Sequence, residues 1–251
     1  MLDGAVAVEA CNSKREKCID AARTLFEYTE RIPDDPAVVS VALQTSPWRF
    51  YGPDMRVLSV DDMASSIRPH LKNEAKRVRL LGSWTGVAAE ADARSLAEQV
   101  SRALDGVPVE GMDGFVWVSA KGGVRTTHQA FTMRNGSGPY VVREGDEVMV
   151  ALAASWYVGM GEPSGEQVAA EDFVLAGRAW DVFGLCPEKA LASFEKGAAM
   201  GSGIGAYNAA MMRLELGGKD NQQTAIALLS RGSQLGDGKS EEKLRALRRE
   251  K

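Results

Sequence analysis

The chain is poor in the residues that most active-site chemistry draws on. Its 251 residues include two histidines, His70 and His128, and three cysteines, Cys11, Cys18 and Cys186. Neither histidine stands at metal-ligand spacing from the other or from a cysteine, so no metal site is expected. No Gly-x-Ser-x-Gly elbow and no Walker phosphate loop occur. No apolar run reaches the roughly 18 residues of a membrane-spanning helix. An excess of positive charge is also missing. The 30 basic and 34 acidic residues give a net charge of −4. A nucleic-acid partner, which normally faces a basic stripe, is therefore not expected. The apolar stretch Met1 to Ala10 has no basic head and does not make a complete secretory signal.

What is present is ordinary for a soluble globular protein: 45% hydrophobic and 25% charged residues. The length suits one large or two ordinary domains. Ser13 and Glu16 have capping-box spacing at the start of an apolar-periodic segment. The spacing of Cys18, Ala21, Ala22, Leu25, Phe26 and Thr29 predicts a helix from Ser13 to Arg31, stopped by Pro33 and Pro36. Two cysteines seven apart on one helix would sit roughly 10 Å from each other, too far for a disulfide. With Cys11 in the incoming chain, a bridge to Cys18 can form and would imply an oxidising compartment such as the periplasm. The alternative is a pair of free thiols in a cytoplasmic protein.

Strand and helix patterns then alternate. Strands are predicted at Ala37–Leu43, Met55–Leu58, Val78–Gly82 and Phe115–Ser119. Helices are predicted from Val60 to about Leu71, where Ser59 caps and Asp61 and Asp62 fill the first turn, and from Glu90 to Leu104. The last three strands and the two helices read as a βαβαβ unit with a parallel sheet. Residues 124–150 read as loops with one or two added strands. Val150–Gly159 reads as a buried helix and Gly161–Gln167 as a polar connection. The division expected is an α/β domain over 1–149 and a helical domain over 150–251.

The helical part repeats itself. Shifted by 35 residues, Ala190 matches Ala225, Leu191 matches Ile226, Ala192 matches Ala227, and Phe194 matches Leu229. Lys196, Gly197, Met200 and Gly201 likewise match Arg231, Gly232, Leu235 and Gly236. Such a period points to stacked helix hairpins. Ala190, Phe194 and Gly197 fall on one face, where small residues admit a neighbouring helix. Gly201 and Gly236 fall where a left-handed C-cap is needed. Pro187 to Leu191, the run Phe194 to Ala198, the Gly-Ser and Gly-Asp ends, and Ala206-Tyr207-Asn208 together resemble the Sel-like repeat family, relatives of the tetratricopeptide repeats. The resemblance covers about Glu171 to Asp237. It departs from the family at Gly197 and Gly232, where Ala is usual, and in having only two units. It implies an α-helical superhelical scaffold that binds other proteins. It further implies a bacterial envelope setting and kinship with immunity proteins that neutralise secreted effectors. Two units cannot cover their own ends, so capping helices at Val150–Gly159 and Lys239–Arg249 are expected.

Candidate sites follow from what remains. Trp48, Phe50, Tyr51 and Trp84 are either an exposed aromatic cluster that binds protein or filling for the core. Gly82-Ser83-Trp84-Thr85-Gly86 follows a strand and precedes a helix, where α/β sheets bind ligands. Ser83 with His128 as base is the alternative, hydrolase-type reading of the first domain. Gly201-Ser202-Gly203-Ile204-Gly205 reads as an interhelix turn. The reading as a whole is of a non-catalytic protein-binding protein of the envelope or periplasm. It has no cofactor and no catalytic or metal-binding residues, and its partner is a protein, a secreted toxin being the class favoured.

Overall fold

The computed structural model describes residues 27–71, 75–128, 132–133, 140–141, 147–149, 163 and 167–249. Cys11, Cys18, most of the first predicted helix and the helix expected at Val150–Gly159 lie outside these residues; residues 27–29 are helical. The chain forms two compact units. One comprises Met1–Gly52 and Leu58–Tyr157, the other Pro53–Val57 and Val158–Lys251.

The first unit is mixed α/β. Its parallel sheet has the order β1-β5-β6, from β1 (Val38–Ala42), β5 (Arg77–Leu81) and β6 (Val109–Glu110). Between them in sequence come β2 (Gln44–Thr45), β3 (Phe50–Tyr51) and β4 (Val57–Leu58). Helix α1 (Val60–Ile67) continues into a 3-10 turn, Arg68–His70, and α2 is Leu96–Ala103. Both helices open on a full capping box, Ser59 with Asp62 and Ser95 with Glu98. Each box pairs first-turn N–H groups that have no intrahelical acceptor. Met63, Ala64 and Ile67 of α1 and Leu96, Ala97 and Val100 of α2 share one core with Val78 and Leu80 of β5.

Two strands of the predicted βαβαβ unit change place. Its first parallel strand is β1, not the segment before α1. Its third is the two-residue β6, while Phe115–Ser119 (β7) pairs antiparallel with β8 (Val124–Thr127) and β11 (Glu147–Met149). The strands β9 (Thr132–Met133) and β10 (Tyr140–Val141) form a separate antiparallel pair. The physical reason is that Phe115 to Val118 are all buried. A strand covered on both faces has no alternation to tell a parallel from an antiparallel neighbour. Helix α2 also begins six residues later than its apolar pattern suggests, because Ser95 rather than a residue near Glu90 accepts the first-turn amide.

Between residues 170 and 249 the second unit is built of helices. Its helices are α3 (Ala170–Val182), α4 (Pro187–Ala199), α5 (Gly203–Leu216), α6 (Lys219–Gln234) and α7 (Gly238–Arg249). Each packs chiefly on the next in sequence. The core is rich in alanine: Ala190, Ala198, Ala206, Ala209, Ala210 and Ala225 are all buried beside Phe194 and Leu229. The 35-residue shift relates the hairpin α4–α5 to the hairpin α6–α7 in atomic detail. Gly201 and Gly236 both have positive φ, 102° and 84°. The next residue, Ser202 or Asp237, donates its N–H to the carbonyl of Gly197 or Gly232 at 2.9 Å in each case. That residue then caps the following helix, Ser202 through Gly205 N–H at 3.0 Å and Asp237 through Ser240 N–H at 2.8 Å.

Candidate protein-binding site

In the first unit the loop after β5 is tied down on every side. The Thr45 hydroxyl donates to the Ser83 carbonyl at 2.6 Å. Ser83 Oγ accepts from Val116 N–H at 3.1 Å. The Thr85 hydroxyl donates to the Gly82 carbonyl at 2.9 Å, and its oxygen accepts from Met112 N–H at 3.0 Å. All three hydroxyl residues are buried. They knit the strand ends together, as buried polar groups must when water is excluded. Trp84 takes a left-handed backbone, φ 66°, and sets its indole edge-on to Phe115 with centroids 5.3 Å apart. The imidazole of His128 lies 5.6 Å from the same indole, and no hydrogen bond joins His128 to Ser83 among the described residues. Among the described residues, Trp84 Nε1 and Gln44 Oε1 are buried without a hydrogen-bond partner.

The four aromatic residues picked out by the sequence divide. Phe50 and Tyr51 are 1% and 2% exposed, so they belong to the interior and offer a partner nothing to touch. Trp48 and Trp84 are half-buried. Among the described residues no group of histidine, cysteine and carboxylate side chains could hold a metal ion, and no helix is long and apolar enough to cross a membrane.

The second unit holds a feature that sequence reasoning missed. Asn208 lies in the middle of α5, fully buried among Ala206, Tyr207, Ala209 and Ala210. Its side-chain amide grips the main chain where a turn leads into β4. Oδ1 accepts from Val57 N–H at 2.9 Å, and Nδ2 donates to the Met55 carbonyl at 2.9 Å. Met55 itself is left-handed, φ 67°, which turns both groups toward the amide. Between them Arg56 donates through Nε to Asp237 Oδ1 at 3.1 Å and pairs with the same oxygen through its second nitrogen. A further salt bridge joins Arg56 to Asp54 at 2.6 Å. Burial works to lower the Arg56 pKa, but the hydrogen bonds and charges of Asp237 and Asp54 outweigh it and raise the value. Asp237 therefore has two tasks. One oxygen takes the guanidinium, and the other takes the N–H and hydroxyl of Ser240 at the start of α7. A lone asparagine inside a run of small apolar residues was the signal available in the sequence, since a buried amide needs partners.

A family model described as a Domain of unknown function (DUF8616) matches residues 14–126, which end before the five helices begin. No curated protein and no solved structure matches.

Proposed function

We propose that this protein is a non-catalytic protein-binding protein whose helical part is a scaffold of the Sel-like type, working at the bacterial cell envelope. The observation that carries the reading is the grip of Asn208 on Met55 and Val57. A helix-hairpin array that holds a turn of main chain through its backbone N–H and carbonyl groups has the means to hold polypeptide whatever its side chains. The paired hairpins with matching caps support the same reading, because a repeated helical unit presents a continuous surface. The envelope placement belongs to the proposal and rests on Cys11 and Cys18. A secreted toxin, neutralised by one-to-one binding, is the partner class the resemblance favours.

The test is affinity purification of the full chain from envelope extracts of its host, followed by reconstitution with the purified candidate. A partner that copurifies in stoichiometric amount and rebinds in purified form is the expected result. Extracts that yield no rebinding protein, with and without chemical crosslinking, overturn the proposal. The rival hydrolase reading requires Ser83 to reach a substrate, yet its hydroxyl is buried and committed to Val116. Ser83→Ala should leave partner binding unchanged.

A further inference from the structure

A groove of about 250 Å³ runs between α3 and α4. Its aromatic side comes from α3, where Phe173 and Trp180 stand seven residues, two helical turns, apart. Lys189 and Lys196 of α4 have the same spacing. Because the two helices run antiparallel, each lysine meets one ring: Lys189 Nζ lies 4.1 Å from the Trp180 centroid and Lys196 Nζ 4.6 Å from that of Phe173. Ala176, Ala192 and Ser193 line the stretch between these two pairs. Their small size keeps that stretch open.

Charge gives the groove its sign. Among the described residues neither ammonium has a carboxylate partner. Glu195 binds Arg213, Asp172 accepts from the Ala169 N–H, and Glu188 accepts from the Cys186 thiol. Lys189 also sits in the first turn of α4, where the helix dipole disfavours a cation. The face of the Trp180 ring offsets that cost and holds the ammonium at the rim of the groove.

We propose that this groove docks an acidic amphipathic helix of a partner protein. Its carboxylates lie seven residues apart to meet Lys189 and Lys196, and an apolar side chain midway enters the space over Ala176 and Ala192. Seven residues of helix rise about 10 Å, the same interval that separates the two lysines along α4. Helix-in-groove recognition with anchors at this spacing is a common mode. The inference rests on the protein-binding reading and gives it a partner chemistry.

The probe is a synthetic alanine-glutamine helix carrying two Glu seven residues apart with Leu midway. Its control carries Lys in place of both Glu. Titration of the full chain by calorimetry should show binding of the acidic peptide that weakens as salt is raised. Lys189→Glu with Lys196→Glu should weaken it about tenfold or more, and should turn the preference toward the Lys peptide. Ala192→Trp fills the groove without altering charge and should also abolish binding; circular dichroism confirms that both variants are folded. Equal binding of the two peptides, or no binding of the acidic one, overturns the proposal. A natural partner that binds the doubly reversed variant as tightly as the wild type overturns the groove assignment while leaving the protein-binding reading intact.

Discussion

At the scale of single residues, two side chains of the second unit tie residues 55–57 to the helices. Asn208 serves a buried main-chain donor and acceptor at once. Asn208→Ala strands both, and a buried unpaired group costs about 1–3 kcal/mol. The Val57 amide should then lose its protection in hydrogen exchange, which the native protein retains. Asp237 is nearly as exacting. Asp237→Ala removes the cap of α7 and leaves Arg56 without its best-buried counter-charge, at a cost of roughly 2–4 kcal/mol. Asp237→Asn keeps a capping oxygen and should lose less, a difference that urea unfolding of the full chain can resolve. In the first unit Asp35 accepts from the Ala37 N–H at 2.9 Å and pairs with Arg77 at 2.7 Å. The backbone hydrogen bond from Ala37, then Arg77, holds its pKa below the ordinary 3.8. The stabilisation is therefore fully present above that value and lost as pH falls through the folded-state pKa. The gap in unfolding midpoint between wild type and Asp35→Asn should close on acidification; a gap that widens in acid would contradict the assignment.

At the scale of elements, the hairpins depend on close approach more than on large side chains. A Cβ on Gly232 would collide with the side chain of Ser240, the residue that Asp237 caps. Gly232→Ala should cost about 1–3 kcal/mol through overpacking. Adding Ser240→Gly, which gives this hairpin the glycine found at the equivalent Gly205, should recover much of that loss. Thermal unfolding of the two single variants and the double variant measures the coupling, and strictly additive losses would refute it. Most helices were legible at this scale. Ser59 announces α1, with Asp61 and Asp62 in its first turn, whereas the Ser95–Glu98 box sets the start of α2 six residues beyond the Glu90 expected from its apolar pattern. Gly201 and Gly236 announce the ends of α4 and α6. The strands were less so. Val109–Glu110 is too short to show a period, and Val57–Leu58 looks as strand-like as the segment that joins the parallel sheet.

At the scale of the whole molecule, the units are not simply successive in the chain. Residues 53–57 belong with the helices, although the residues on both sides of them belong to the α/β unit. No composition change marks so short an excursion, and its cause lies in residues far along the chain, Asn208 and Asp237. Compartment is also a property of the molecule as a whole. Mass mapping of protein isolated from its host should find Cys11 bridged to Cys18 if it works in the envelope; two free thiols there would move it to the cytoplasm.

The sequence by itself determined the α/β-then-helical order, the Ser59 cap, the helix ends at Gly201 and Gly236 and the 35-residue spacing of the hairpins. These follow from contacts between residues near in the chain, whose geometry is set by a turn or two of helix. Only the tertiary structure decided which strands pair, that Phe50 and Tyr51 face inward, that Lys189 meets Trp180 and that Asn208 holds residues 55 and 57. Each of those joins groups whose partners a linear pattern does not name, because burial and pairing depend on what the folded chain brings alongside.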